Sequence, residues 1–303
     1  MIALEVKEIS KSFRPNFYNK RTSVLKKVDI NVMKGTIYGF LGPNGAGKTT
    51  TIKCILGLTR PDSGEIMLFG KRTGKVSDRK RIGFLPESPY YYDYLTAAET
   101  LILSGKLSSV SDSKIKERSE KILEMVSLKD KKDVLLKNFS KGMLQRIGLG
   151  QALMNDPEFI ILDEPFSGLD PVGRKELRDI ILLLKEEGKT IFFSSHILQD
   201  MELIVDDVGI LIDGKISKEG KLTKLIKDSV KYIEVIVSGI EENFYKKNKY
   251  NYSLVDNKTH IKIENYDKLS KFIRIVGEKG GKCVSIKQVS YSLEDLFLKE
   301  IKK

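Results

Sequence analysis

The chain has 303 residues, with 53 Lys or Arg, 41 Asp or Glu and a formal net charge of +12, and 41% of its residues are hydrophobic. This length predicts two domains, because a single core stops growing at about 250 to 300 residues, and the apolar content excludes a disordered chain. We expect no membrane span and no signal peptide. Two cysteines, Cys54 and Cys283, predict free thiols. The positive charge is compatible with nucleic acid, an anionic membrane or phosphorylated small molecules.

Alternating apolar residues predict strands at residues 3–9 and 24–32. The run 36–41 is apolar on both faces, which predicts a buried central strand. A glycine-rich turn follows, and helical spacing then runs over 48–56 until Gly57. The predicted local order is therefore strand, glycine-rich loop, helix.

Beyond this helix the pattern alternates between strands and helices. Short strands are predicted near 65–69 and 81–85, and a helical period dominates from about 96 to 155. Strands return at 159–162 and 190–194, with a helical segment from Pro171 to about Glu187 between them. Alternation of this kind predicts an α/β fold with a mainly parallel sheet covered by helices.

The last part of the chain reads as a second, smaller α+β domain. Strands are predicted at 231–238, 252–256, 260–264 and 283–289, with a turn at 257–258. A helix is predicted at 266–278, a second helix is possible before residue 250, and an amphipathic helix closes the chain at 293–301. The order strand, helix, two strands, helix, strand is that of a ferredoxin-like unit. We therefore predict domains 1–221 and 222–303.

The glycine-rich loop matches the phosphate-binding pattern G-x-x-x-x-G-K-[ST] between a strand and a helix, which is its required context. Its backbone N–H groups and the helix N-terminus suit phosphate oxygens. Lys48 would bridge the β- and γ-phosphates of a nucleotide, and the Thr49 hydroxyl would coordinate Mg²⁺. The residues that we assign to nucleotide binding here are Gly42, Pro43, Asn44, Gly45, Ala46, Gly47, Lys48, Thr49 and Thr50.

Two carboxylates, Asp163 and Glu164, follow the apolar strand 159–162. We assign Asp163 to Mg²⁺, directly or through water, and Glu164 to orienting and deprotonating the attacking water. Two adjacent carboxylates can also be a solvated strand end, but the upstream phosphate loop favours the catalytic interpretation. Lys48 and Glu164 are therefore the catalytic residues that these two motifs predict.

Further motifs make the sequence similar to the nucleotide-binding subunits of ABC transporters. Residues 139–143, Phe-Ser-Lys-Gly-Met, resemble the signature sequence of that family, and residues 167–170, Ser-Gly-Leu-Asp, resemble its D-loop. His196 follows the strand 191–195 at the place of the switch histidine, so the resemblance makes it a third predicted catalytic residue. Phe13 stands where the family stacks an aromatic ring on adenine. The resemblance implies an ABC-type ATPase core of a mainly parallel sheet, an antiparallel β subdomain and a helical subdomain at about 96–155.

The resemblance also implies a mechanism, in which two ATPase subunits close head to tail on two ATP molecules and hydrolysis releases them. Each site would join one chain's loop, carboxylates and histidine to residues of the other chain. The resemblance assigns to this shared site Lys48, Thr49, Asp163, Glu164 and His196 of one chain, and Ser140 and Gly142 of the other, with Asp170 in the D-loop.

Three residues depart from the usual family pattern. Glu87 replaces a glutamine, and it could still meet the water shell of the metal. Lys141 and Met143 replace the commonest glycine and glutamine of the signature. Together with the second domain, these variants resemble the branch that pairs with separate ABC-2-type permeases, mostly exporters. The implied cofactors are ATP and Mg²⁺, the implied partners are permease and a second ATPase subunit, and the implied location is the cytoplasmic face of the cell membrane.

The alternative function is an ABC-type ATPase acting on soluble machinery, such as DNA repair or the ribosome. Repair ATPases carry coiled-coil or zinc insertions, and ribosome-acting relatives usually carry two cassettes; neither feature is visible. A P-loop kinase or GTPase would have no reason for the signature, the D-loop or His196. We therefore do not expect nucleic acid as a partner. Residues 222–303 hold 17 basic and 11 acidic residues, which suits either an anionic membrane surface or a solvated lysine-rich surface.

Four tyrosines, Tyr90, Tyr91, Tyr92 and Tyr94, follow Glu87 closely. In the family this region faces the permease, so an interface role is one interpretation. Packing of some of these rings under the helical subdomain is the other, and the sequence leaves both open.

Overall fold

A computed structural model describes residues 1–14, 21–73, 80–227, 230–248, 250–256 and 258–302. The chain divides into two compact units, Met1–Leu222 and Thr223–Lys303. The predicted domain boundary lies one residue before this division. The predicted turn at 257–258 falls in part outside the described residues, since Asn257 is not among them.

The first unit contains an antiparallel sheet of four strands in the order β2-β1-β4-β5. These strands are β1 (Ile2–Phe13), β2 (Thr22–Met33), β4 (Ser63–Leu68) and β5 (Lys71–Arg72). β1 and β2 alternate buried apolar and exposed polar residues, as strands that cover a core with one face do. This sheet corresponds to the antiparallel β subdomain that the family resemblance implies.

The second sheet of this unit has six strands in the order β10-β9-β3-β8-β7-β6. The strands are β3 (Ile37–Leu41), β6 (Ile82–Leu85), β7 (Phe159–Asp163), β8 (Thr190–Ser195), β9 (Asp207–Ile212) and β10 (Lys215–Lys221). All neighbours are parallel except β10, which runs antiparallel to β9. The mainly parallel α/β sheet is thus confirmed, but the sequence analysis did not predict β9 and β10.

The helices named next connect the strands of this unit, and those between residues 96 and 155 form the predicted helical region. They are α1 (Lys48–Ile55), α2 (Ala97–Leu107), α3 (Asp112–Met125), α4 (Lys141–Leu153), α5 (Pro171–Glu186) and the short α6 (Leu198–Glu202), followed by α7 (Leu222–Lys227) at the boundary. Helix α2 begins with a reciprocal capping box, in which Thr96 Oγ1 accepts from the Glu99 nitrogen and Glu99 Oε2 accepts from the Thr96 nitrogen. Among the described residues, no helix combines the length and the apolarity needed to cross a bilayer.

Three central strands position the candidate site. Every residue of β3, β7 and β8 is buried, because the sheet is covered on both faces. Tyr38 and Phe192 stack at 5.4 Å between ring centroids within this core. Since β3, β8 and β7 are neighbours and parallel, the loops that follow them emerge at the same edge of the sheet, which is where α/β folds bind ligands.

The second unit is a four-stranded antiparallel sheet with helices. Its elements are β11 (Val230–Ser238), α8 (Glu242–Lys247), β12 (Asn251–Val255), β13 (Lys258–Ile263), α9 (Tyr266–Glu278), β14 (Lys282–Ser290) and α10 (Leu293–Ile301). The sheet order is β12-β13-β11-β14. The buried side chains of β11 pack with Tyr245 of α8 and Phe272 of α9. The order of elements along the chain is strand, helix, strand, strand, helix, strand, followed by the closing helix α10.

Candidate active site

The glycine-rich loop connects β3 to α1 in a conformation that requires glycine at its last position. Gly47 caps α1 with φ 112°, and a Cβ at this residue would lie 2.7 Å from the Leu25 side chain and 3.2 Å from the Val24 carbonyl oxygen. No side chain caps the start of α1. The backbone N–H groups of its first turn therefore remain available to an anion such as a phosphate.

Lys48 is a buried cation at the start of α1, with 7% of the residue exposed. Its Nζ donates to the Gly42 carbonyl oxygen at 2.7 Å and lies 3.4 Å from Oε1 of Glu164. The glycine-rich loop and the end of β7 are thus joined through one ammonium group. A buried ammonium needs partners of this kind, and phosphate oxygens are of the same chemical type.

The two carboxylates after β7 have different surroundings. Asp163 is 3% exposed and its Oδ1 accepts a hydrogen bond from Ser194 Oγ at 2.6 Å, so β8 fixes its side chain. Glu164 has φ 50°, a left-handed conformation that is unfavourable for a residue with a side chain and that clusters at functional sites. Its backbone nitrogen donates to Ser194 Oγ at 3.0 Å.

His196 follows β8 directly and faces Glu164. Its Nδ1 lies 2.7 Å from Glu164 Oε2, and its backbone nitrogen donates to the same oxygen at 3.1 Å. Half of the His196 side chain is exposed, whereas the Glu164 carboxylate is almost fully buried. The imidazole therefore lies at the opening of the site and the carboxylate at its floor.

These groups line one cleft of about 380 Å³. The residues around it are Val24, Pro43, Asn44, Gly45, Gly47, Lys48, Thr49, Thr50, Glu87, Glu164 and His196. Of these residues, only Val24 was not among the predicted site residues. The sequence identified it as an apolar residue of an alternating strand and gave no indication of a role in the site. Of the predicted residues nearby, Gly42, Ala46 and Asp163 lie outside the lining of this cleft.

Phe13 stands apart from the cleft. It ends β1, is 43% exposed and has Lys11 Nζ at 5.5 Å from its ring centroid. An exposed aromatic ring can stack on a base, but the structure does not bring this ring into the cleft lining.

The remaining predicted residues lie at the exposed starts of two helices rather than in the cleft lining. Ser140 caps α4, and its Oγ accepts from the Met143 nitrogen at 3.3 Å. Asp170 caps α5, and its Oδ1 accepts from the Gly173 nitrogen at 3.0 Å. At Gly142 a Cβ would have no atom closer than 4.0 Å, so this turn is open to an approaching group.

Two of these segments contact each other within the chain. The side chain of Lys141 lies over Gly168, which has φ 69° and precedes Asp170 by two residues. The segment that resembles the signature and the segment that resembles the D-loop are therefore in contact. Lys141 replaces a residue that the family usually has as glycine, and its long side chain makes this contact.

The chemistry of the cleft can be tested against a magnesium nucleotide. Among the described residues, no three His, Cys, Asp or Glu side chains are grouped so as to hold a metal ion. Thr49 and Glu87 line the cleft, and Asp163 lies buried at the end of β7, next to the cleft residue Glu164. Mg²⁺ usually combines one or two protein oxygens with water and substrate phosphates, so these residues fit an ion that arrives with a nucleotide.

The structure shows which of the four tyrosines near Glu87 are packed and which are exposed. Tyr91 Oη donates to the Leu144 carbonyl oxygen at 2.6 Å and packs against Gly148, and burial raises the pKa of its hydroxyl. Tyr90 and Tyr94 are 87% and 68% exposed, and Tyr92 lies between their rings. Tyr91 is therefore a packing residue, while the other three form an exposed aromatic row.

A groove of about 500 Å³ lies near this exposed row, between β6 with its following residues and helices α2 and α4. Leu85, Pro89, Leu107 and Gly148 are among its lining residues. Leu107 is 78% exposed although it is apolar. Exposed apolar and aromatic side chains beside a groove are typical of protein-contact surfaces.

Comparison with known proteins gives consistent matches. A sequence profile described as ABC transporter matches residues 25–167. A protein of Synechocystis sp., described as an uncharacterized ABC transporter ATP-binding protein, is 41% identical over 99% of this chain and 85% of that protein. The bacitracin transport ATP-binding protein of Bacillus licheniformis is 39% identical over 94% of each chain.

A solved structure supports the same family assignment. The dimeric structure of an ATP-binding cassette in a post-hydrolysis state, bound to ADP and phosphate, superposes with a TM-score of 0.65. It is 25% identical to this chain and covers 72% of it and 98% of that chain. The match is therefore to a cassette whose structure is a dimer with bound nucleotide.

Proposed function

The chain belongs to the ABC transporter ATP-binding proteins, and we propose that it hydrolyses ATP to drive a separate ABC-2-type membrane permease as an exporter. One observation carries the proposal: Lys48, Glu164 and His196 converge on one cleft, while Ser140 and Gly142 lie outside that lining. Ser140 and Gly142 are therefore left for the site of another subunit.

ATP binding would use the glycine-rich loop. The N–H groups at the start of α1 would donate to phosphate oxygens, and Lys48 would exchange its contacts with Gly42 and Glu164 for the β- and γ-phosphates. Thr49, Asp163 and Glu87 would hold Mg²⁺, which neutralises phosphate charge when bound. Phe13, on its exposed strand end, would stack on the adenine base.

Hydrolysis would depend on the pair formed by Glu164 and His196. The Glu164 carboxylate, which is buried, would accept a proton from the attacking water. His196 would hold that carboxylate through its 2.7 Å contact and meet the γ-phosphate from the opening of the cleft.

The second half of each site would come from a partner copy or a related subunit. Ser140 Oγ and the open backbone at Gly142 would face the γ-phosphate that is bound by the other chain, at the N-terminal end of α4. Asp170, exposed at the start of α5, would lie at the same interface. ATP would then hold two subunits together, and its hydrolysis would release them.

The permease would contact the groove between β6, α2 and α4 together with the exposed Tyr90, Tyr92 and Tyr94. This surface is supported by the exposure of those rings and of Leu107. Docking there would place the chain at the cytoplasmic face of the membrane. The bacitracin transport ATP-binding protein, which matches almost the whole chain, supports a transport role over the soluble alternative.

The test expresses the 303-residue chain together with each candidate permease encoded by a gene adjacent to its own, and assays the ATPase activity of the complex that co-purifies. We expect Mg²⁺-dependent phosphate release that the permease alters, and loss of release in Glu164→Gln with the complex intact. A chain that hydrolyses ATP normally after Glu164→Gln, or that associates with none of these permeases in detergent, would contradict the proposal.

A further inference from the structure

A buried carboxylate outside the cleft joins α6 to α5. Asp200 is 7% exposed; its Oδ1 accepts from Arg178 Nη1 at 3.4 Å and its Oδ2 lies 3.6 Å from Arg174 Nη1. Oδ2 has no hydrogen-bond partner among the described residues, so this oxygen depends on the nearby guanidinium charge. None of the roles assigned above uses Asp200.

The position of α6 matters because it begins two residues after His196. With five residues it is too short to be stable without tertiary contacts. One contact is apolar: Met201 is fully buried beside Gly39 of β3. Adjacent residues of a helix do not face the same side, so Asp200 fixes α6 in a second direction, toward α5.

Arg174 extends this connection to the loop before α5. Its Nε donates to the Leu169 carbonyl oxygen at 3.1 Å, and Leu169 immediately precedes Asp170. One guanidinium thus contacts both the carboxylate of α6 and the loop that ends at Asp170. The segment after β8 and the segment after β7 are linked outside the cleft as well as through the Glu164 and His196 contact.

The charge of Asp200 is needed because its two partners repel each other. Arg174 and Arg178 are four residues apart on one helix, so their guanidinium groups share a face, where like charges are destabilising. A carboxylate between them offsets that repulsion. An amide of the same shape would preserve the packing of α6 while removing the charge that holds it against α5.

We propose that Asp200 is a positioning residue for ATP hydrolysis, which holds α6, and thereby His196, in the orientation that meets Glu164. The inference rests on the proposed catalytic roles of His196 and Glu164. Asp200 acts through His196 and touches neither nucleotide nor the reacting water.

The experiment compares Asp200→Asn with wild type in the 303-residue chain. We expect kcat to fall by about 10-fold to 100-fold, because small misplacements of catalytic groups reduce rates by about this much. The KM for ATP and the affinity for a non-hydrolysable ATP analogue should stay within about twofold, because the glycine-rich loop is unchanged. Asp200→Glu, which keeps the charge, should recover part of kcat. The matched control is Asp179→Asn, an exposed carboxylate on α5 next to Arg178, which should leave kcat unchanged.

A second variant covers the case in which Asp200→Asn fails to fold. Arg174 is one-third exposed, so Arg174→Gln should fold, and it should lower kcat with the same unchanged ATP affinity. The combined effect of Arg174→Gln and Asp200→Asn on kcat should be smaller than the product of the single effects.

A wild-type kcat in Asp200→Asn would overturn the inference. It would also be overturned if Asp200→Asn lost kcat, ATP affinity and thermal stability together while Arg174→Gln kept a normal kcat. His196→Ala separates the two proposals. If His196→Ala is inactive while the Asp200 and Arg174 variants are normal, the proposed function stands and the positioning role falls. If His196→Ala hydrolyses ATP normally, both the assigned role of His196 and the positioning role fall.

Discussion

Oε2 of Glu164 lies 2.7 Å from Nδ1 of His196, although 32 residues separate the two along the chain. The other oxygen of the same carboxylate lies 3.4 Å from Lys48 Nζ. Glu164 therefore bridges the loops that follow β3 and β8. Changes to this one carboxylate should affect hydrolysis more than nucleotide binding.

Glu164→Gln should reduce kcat for ATP hydrolysis by at least about 100-fold, because an amide cannot accept the proton of the attacking water. Lys48 and the glycine-rich loop are unchanged, so the variant should bind ATP and accumulate as an ATP-bound dimer. Phosphate release and size-exclusion chromatography with and without ATP measure the two effects. The control is Glu186→Gln, at an exposed position of α5; near-normal turnover in Glu164→Gln would contradict the assignment.

Ser140→Arg should abolish hydrolysis and leave ATP binding by single subunits intact, because its target site belongs to the other chain. The arginine fills the open approach to Ser140 and Gly142. Phosphate release measures the loss of hydrolysis, and calorimetry measures the retained ATP binding. Loss of the cap bond to the Met143 nitrogen should cost about 1 kcal/mol of stability, so unfolding is measured in parallel.

Complementation between two inactive variants tests the shared site directly. A mixed dimer of Ser140→Arg and Glu164→Gln contains one site with both changes and one site with neither. Mixing the two variants should therefore restore part of the ATPase activity. If the mixture stays as inactive as each variant alone, while both variants still dimerise, the two halves of the site do not come from different chains.

The combined change Tyr90→Ser and Tyr92→Ser should weaken co-purification with the permease and leave the free energy of unfolding within about 0.5 kcal/mol of wild type, because both rings are exposed. Pull-down from detergent and urea unfolding measure the two quantities. Tyr91→Phe is the matched contrast: it removes the hydrogen bond to Leu144 and should cost about 1 kcal/mol of stability. Unchanged co-purification in the double variant would exclude the aromatic row from the interface.

The two cysteines should differ in reactivity. Cys54 is 2% exposed, and burial raises the pKa of its thiol to about 11, whereas Cys283 is exposed. At pH 8 only about 1 in 1,000 of the Cys54 thiols would be thiolate, the reactive form. Iodoacetamide at that pH should therefore add one label per chain, as mass spectrometry reads it, and none in Cys283→Ser. Because the pKa is raised, labelling of Cys54 should increase as the pH approaches 11; rapid double labelling at pH 8 would contradict this.

Much of the fold followed from local patterns. Helix α9 spans Tyr266–Glu278, the same range that helical spacing predicts, and the strand before the glycine-rich loop lies where a continuous apolar run predicts it. The missed strands show the limit of such patterns. β10 reads Lys-Ile-Ser-Lys-Glu-Gly-Lys, mostly polar, and it forms because β9 offers an unpaired edge. That partner cannot be recognised from seven mostly polar residues alone.

For the candidate site, the sequence by itself determined the glycine-rich loop, since its function resides in eight consecutive residues whose backbone conformation is set locally. It also identified Asp163 and Glu164 as candidates from their place after an apolar strand, and His196 from its resemblance to the switch histidine of the family. Only the tertiary structure decided which of these meet, because the order β3, β8, β7 in the sheet brings together residues that are far apart in the chain. Only the tertiary structure likewise showed that Tyr91 is buried while the neighbouring tyrosines are exposed, and that Asp200 lies between two arginines. Burial and charge pairing are properties of packed surfaces, and no spacing along the sequence encodes them.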